Sequence, residues 1–181
     1  PLASYLNPDY KYFFRNFGKI SNFFQKGQLI ILRSTLFPGT SKIICNQLKN
    51  KEVKIAFCPE RISQGNALTE LKKLPQIISA QDNKTSKLCA DFFKKIGIKR
   101  VIECEFEEAE VAKLLCNSWR YLKFAIANQF YSICEDKNLN FKKVRKIMMF
   151  EYDRAKDFPK SGFAAGPCLL KDTMQLSAYS R

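Results

Sequence analysis

Cys168 carries the strongest hint of covalent chemistry in this chain. It closes the small-residue run Gly162-Phe163-Ala164-Ala165-Gly166-Pro167, along which a backbone can approach a ligand closely, and a helix is predicted to start just beyond it, near Lys171 and Asp172. A helix N-terminus and a neighbouring ammonium both favour a thiolate, so Cys168 reads either as a nucleophile or as an ordinary loop thiol. The other six cysteines (45, 58, 89, 104, 116 and 134) lie inside apolar strand or helix patterns and read as small buried hydrophobes. Lys113 and Asn117 are four apart and share one helix face, either as the polar edge of an amphipathic helix or as ligand contacts. Asn128, three turns on, extends that polar line, and buried amides of this kind need hydrogen-bond partners. Glu60, in Cys58-Pro59-Glu60-Arg61, and Thr35 each follow a predicted strand directly. Ligands in open α/β sheets sit outside the carboxyl ends of strands, so Glu60 could act as a general base toward water, or else pair with a nearby Lys or Arg.

Two styles of sequence must position these residues. Up to about residue 105, short apolar runs alternate with amphipathic segments. Strands are predicted at 28–33, 53–57, 76–80 and 101–105, with helices near 41–48 and over 85–96. Strand, helix, strand in this rhythm argues for an open α/β layer with parallel strands. From Glu107 to Cys134 there is no Gly or Pro, and Ala112, Leu115, Cys116, Trp119, Leu122, Ile126, Phe130 and Ile133 recur at helical spacing. One long helix is predicted there, followed by another over 141–150. The expected division is an α/β domain over 1–105 and a helical domain over 106–181.

Composition narrows the function classes. The chain has 181 residues, 46% hydrophobic and 27% charged, which excludes wholesale disorder. It has no histidine, which removes Ser-His-Asp and Cys-His catalysis and every His-ligated metal site. No Cys-x-x-Cys pair occurs, so neither a zinc ribbon nor a disulfide framework is readable, and no metal is expected. The net charge of +14 comes mostly from lysines, scattered singly and in doublets such as Lys72-Lys73, Lys94-Lys95 and Lys142-Lys143 and not gathered in one block. Such a balance suits an anionic small molecule, such as a nucleotide, as well as a nucleic acid or a membrane surface. No apolar stretch is long enough to span a bilayer.

Read in order, four segments resemble the UDP-glucose/GDP-mannose dehydrogenase family. They are Arg33-Ser34-Thr35 with Pro38-Gly39-Thr40; Pro59-Glu60-Arg61 with Gly65-x-Ala67; Ala109-Glu110-x-x-Lys113-x-x-x-Asn117; and Gly166-x-Cys168-x-x-Lys171-Asp172. The resemblance implies the C-terminal part of a Rossmann-like parallel sheet followed by an α-helical domain with one long central helix. It also implies an NAD-dependent oxidation of a nucleotide sugar, with a UDP-sugar preferred, from C6 alcohol to uronate through a cysteine thiohemiacetal and thioester. Carried over by motif, Cys168 is the nucleophile, and Lys113 and Asn117 flank the reacting oxygen. Glu60 and Thr35 activate and position water, and Asp172 supports that network. Phe158, Gly162, Phe163, Gly166 and Lys171 lie where the sugar nucleotide would be covered, and Ser34, Thr35, Glu60 and Cys168 where NAD would be met. A homodimer through the long helix and a cytoplasmic location are expected.

The chain departs from the family pattern in places. It has Ala164-Ala165-Gly166-Pro167-Cys168 where the family usually has Gly-Gly-x-Cys, and Asn128-Gln129 where relatives often carry Asn-Glu. No Gly-x-Gly-x-x-Gly is present, so the chain reads as an internal piece that alone neither binds NAD tightly nor turns over. The rival readings are a non-catalytic oligomerisation module on the same scaffold and a basic nucleic-acid-binding domain. No aromatic-basic platform or recognition-helix motif supports the latter.

Overall fold

The computed structural model describes residues 9–62, 65, 70, 71, 73–163 and 167–180. It falls into two compact units, Pro1–Leu114 with Gln175–Arg181, and Leu115–Met174.

In the first unit, strands β1 (Leu29–Leu32), β2 (Lys54–Phe57), β3 (Gln76–Ala80) and β4 (Val101–Glu103) form one sheet in the order β1-β2-β3-β4. Helix α2 (Thr40–Leu48) crosses from β1 to its parallel neighbour β2, and α3 (Asn83–Lys95) from β3 to its parallel neighbour β4. The β2–β3 pairing is antiparallel, with Ala56 opposite Ala80 and Phe57 opposite Ser79. This corrects the all-parallel expectation. Residues 58–75 are long enough for a crossover, but β3 starts at the end of the sheet at which β2 finished, as after a hairpin-type connection. Apolar pattern identifies a strand and carries no sign of its direction.

The two central strands are buried along most of their length because both faces are covered. Ala56, Cys58 and Ile78 pack on Cys89, Ala90 and Phe93 of α3. Ile44 and Leu48 of α2 pack on Val53 and Ile55, joined by Phe13, Phe14 and Phe17. Those phenylalanines belong to helix α1 (Tyr10–Ser21), which the sequence reading missed. Its aromatic-rich stretch has low helix propensity, yet Asp9 caps it by accepting a hydrogen bond from the Tyr12 amide at 2.8 Å.

Helix α4 (Phe106–Asp136) runs 31 residues, slightly beyond the predicted 107–134. Helix α5 (Phe141–Met149) follows, capped by Asn140, and then a short 3-10 turn at Asp153–Ala155. Helix α6 (Pro167–Tyr179) begins four residues earlier than the predicted start at Lys171. Proline is at home in the first helical position, where its missing N–H would lack a helical partner anyway. Cys168 therefore stands within the first turn of α6 and not in the loop before it. Cys116, expected to be buried, is exposed on α4. Among the described residues no helix is long and apolar enough to cross a membrane.

Candidate active site

The carboxyl ends of β1 and β2 lie side by side, and each delivers one candidate. Glu60 leaves the buried Cys58-Pro59 and pairs through Oε2 with the Arg33 guanidinium, so the alternative salt bridge for this residue is present. Its Oε1 accepts from the backbone amides of Arg61 and Ile62, both at 2.8 Å. Arg33 also donates to Gln76 Oε1 at 2.8 Å and lies over the Phe93 ring at 5.3 Å. Arg33 is thus braced on three sides and holds Glu60 at the strand ends. The sequence reading treated it only as part of a motif.

Ser34 is exposed and Thr35 half-buried on the loop that joins β1 to α2. Thr35 lines a small cavity of about 40 Å³ together with Tyr10, Phe37, Thr40 and Gln175. Lys113 lies half-buried on α4, one turn after the fully buried Glu110. Burial pushes the Glu110 carboxyl above its ordinary pKa, although hydrogen bonds from Ser41 and Gly39 pull it back.

In the second unit Asn117 and Asp172 meet. Asn117 Nδ2 donates to Asp172 Oδ2 at 2.6 Å, and Lys171 Nζ lies 3.3 Å from Asp172 Oδ1. Asp172 is wholly buried and Asn117 nearly so. A carboxylate removed from water is tolerable only when paired and hydrogen-bonded, and both conditions are met here. Cys168, exposed, stands one helical turn before Asp172 on α6.

The loop after α5 is held at several points. Asn128 pairs with the backbone of Gly162 in both directions, donating to its carbonyl at 2.9 Å and accepting from its amide at 2.7 Å. Arg145 Nε donates to the carbonyl of Pro159 at 3.0 Å. Phe158 stacks on Phe130 with centroids 5.4 Å apart, and Lys123 pairs with Asp157. Asn128 thus acts as a hydrogen-bond hub for this loop. Phe163 is almost fully exposed, whereas Gly166 lies outside the described residues.

The structure thus assembles the candidates as two local groups: Glu60 with Arg33 in one unit, and Asn117, Lys171 and Asp172 in the other. Two of the other thiols, Cys45 and Cys58, are poor nucleophiles. Burial raises Cys45 to about 11, while a hydrogen bond to Cys89 and burial push Cys58 well up.

Residues 1–97 match the profile of the UDP-glucose/GDP-mannose dehydrogenase family, NAD binding domain, and residues 107–181 that of its central domain. The chain belongs to this family. A UDP-N-acetyl-D-mannosamine dehydrogenase of Methanocaldococcus jannaschii is 31% identical over 133 residues, covering 73% of this chain and 31% of that protein. The Pyrococcus horikoshii UDP-N-acetyl-D-mannosamine dehydrogenase is 25% identical over 97% of this chain and 43% of its own length. The chain therefore spans less than half the length of these relatives. Among solved structures, a P. horikoshii UDP-D-ManNAc dehydrogenase superposes with a TM-score of 0.86 at 24% identity, covering all of this chain and 44% of that one. A UDP-glucose dehydrogenase of Pyrobaculum islandicum gives 0.82 at 22% identity, covering 99% of this chain and 44% of that one. These two likenesses establish the fold.

The family's cofactor is NAD. Ser34, Thr35 and Glu60, at the carboxyl ends of two parallel strands, fit one edge of a dinucleotide. They do not supply a pyrophosphate cradle. The N-terminal amides of α2, which could bind an anion, are taken by the Glu110 carboxylate.

Proposed function

We propose that the chain forms the strand-end and cysteine-loop portion of an NAD-dependent UDP-sugar 6-dehydrogenase acting in the cytoplasm. The observation that carries this reading is the buried Asn117–Asp172 pair with the half-buried Lys171 beside it, set one helical turn from the exposed Cys168. Ser34, Thr35 and Glu60 would meet NAD, which when bound would supply the hydride acceptor, one molecule for each of the two oxidations. The Cys168 thiolate adds to the C6 aldehyde and forms a C–S bond. Lys113 and Asn117 donate to the oxygen on which negative charge develops, and Asp172 fixes the Asn117 amide for that task. After the second oxidation the thioester is attacked by water positioned by Thr35 and Glu60. The C–S bond breaks, the uronate leaves and the thiol is restored. Phe158, Gly162, Phe163 and Lys171 line the approach of the sugar nucleotide, whose negative charge suits a chain of net charge +14.

The same reading includes a homodimer. Leu115, Trp119, Leu122, Ile126, Phe130 and Ile133 are all exposed at helical spacing along α4, a continuous apolar stripe of the kind that an isologous partner covers. A charge introduced into the stripe, Leu122→Glu, is expected to shift the sedimenting species to monomer.

The deciding experiment follows NADH formation by the full-length enzyme on a panel of nucleotide sugars, beside its Cys168→Ser variant. UDP-N-acetyl-D-mannosamine comes first, because the curated relatives are named for it. Two NADH per sugar, lost in the variant, are expected. No NADH from any sugar would sink the reading and leave a scaffold without the chemistry. The isolated 181 residues, without a Gly-x-Gly-x-x-Gly turn, are expected to make none.

A further inference from the structure

Glu110 belongs to none of the roles assigned above, yet it is fully buried and its carboxylate is engaged on both oxygens. Oε2 accepts from the Gly39 amide at 2.6 Å. Oε1 accepts from the Ser41 amide at 2.7 Å and from the Ser41 hydroxyl at 2.6 Å. Gly39 and Ser41 form the start of α2, a helix with no acidic residue in its first turn and with a glycine, at φ 90°, as its N-cap. No side chain of α2 itself caps the start of that helix. The cap arrives instead from α4, some 70 residues downstream.

Its location matters more than its contribution to α2. Thr35 lies four residues before Gly39 on the loop from β1, and Lys113 lies one helical turn after Glu110 on α4. The carboxylate therefore bolts the Thr35 loop to the helix that bears Lys113. Leu36, on the same loop, packs with Phe106 and Ala109 of α4, so an apolar contact flanks the bolt. The carboxyl is held there although burial opposes a charge on it, which suits a residue retained for geometry rather than for stability.

We propose that Glu110 is a positioning residue that sets the spacing between Thr35 and Lys113 in the reaction, an inference that rests on the dehydrogenase reading above. It touches neither substrate nor cofactor and acts through the loop and the helix turn that its hydrogen bonds to Gly39 and Ser41 hold together. Glutamine has one acceptor for three donors and turns an NH2 toward a backbone N–H, so Glu110→Gln opens the bolt while keeping the volume.

In the full-length enzyme, Glu110→Gln is expected to lower kcat about 10- to 100-fold, as a misplacement on the order of 1 Å does, while KM for the sugar nucleotide and for NAD changes less than about twofold. Ser41→Ala, which removes one of the three donors, gives a smaller loss of kcat in the same direction and guards against a Glu110 variant that does not fold. Amide hydrogen exchange on the same proteins gives a readout free of activity. Exchange over residues 34–42 rises in the variants, while that of 77–79 in β3 stays as in the wild type. A folded variant with wild-type kcat, or with unchanged exchange over 34–42, overturns the proposal. A wild type that makes no NADH with any sugar defeats the dehydrogenase reading and the catalytic role of Glu110 with it. The exchange pattern then decides separately whether the bolt exists.

Discussion

Helices α2 and α3 occupy equivalent places in two neighbouring strand-helix-strand units, and both begin on a carboxylate. Asp82 caps α3 from the adjacent position, accepting from the Thr85 amide at 2.7 Å, and stays solvent-exposed. Glu110 caps α2 from another helix and is sealed from solvent. The environments push the two acids in opposite directions: the Thr85 amide draws Asp82 below its ordinary value, and burial lifts Glu110 above its own. A local cap stabilises one helix. A remote cap also welds two segments of chain that carry different candidate residues, and it does so at the expense of desolvating a charge.

The largest expected difference between the two caps is in stability. Glu110→Ala leaves three donors and a void in the core and should lower the unfolding free energy by about 2–4 kcal/mol. Asp82→Ala removes one exposed cap and should lower it by about 1 kcal/mol. Urea midpoints with unchanged slopes check both, and equal losses would erase the distinction. Next comes pH. A lowered folded pKa means that the Asp82 contribution is present above pH 3.8 and is lost as pH falls through the depressed value. A raised folded pKa means that any Glu110 contribution is fullest below pH 4.5 and is lost as pH rises through the elevated value. Melting-temperature differences between wild type and Asp82→Asn, and between wild type and Glu110→Gln, should therefore run with opposite slopes against pH. Parallel slopes would show that the burial of Glu110 does not govern its titration. The smallest effect belongs to the exposed Asp91–Lys94 pair on α3, 3.9 Å apart. Breaking it should change stability by less than about 0.5 kcal/mol, which marks the floor against which the caps are read.

The same contrast explains how much of the molecule the sequence discloses. β3 covers the residues 76–80 predicted as a strand, and α4 is legible because nothing between Glu107 and Cys134 interrupts the helical period. Patterns of this kind are local. The antiparallel entry of β3, the cap from Glu110 and the Asn128–Gly162 pairing depend on residues that meet only after the chain has folded. Of the candidate residues, Asn117 and Asp172 are brought together across 55 positions by a hydrogen bond that no spacing rule contains. The ordered motifs did point to both, because a family resemblance records tertiary neighbours that periodicity cannot. The start of α6 was misplaced for a simpler reason: Pro167 reads as a loop residue unless it is recognised as the first residue of a helix.

The reversal between β2 and β3 has a kinetic consequence. Each parallel pair closes over a local crossover, whereas the seam between them has only two register pairs, against four for β1–β2 and three for β3–β4. Gln81 extends that seam with its side chain, accepting from the Ile55 amide at 3.1 Å and donating to the Val53 carbonyl at 3.3 Å. The sheet is therefore built as two foldons joined by a short zip with an amide latch at one end. Sub-global opening should begin there, parting the halves of the sheet while each strand-helix-strand unit stays closed.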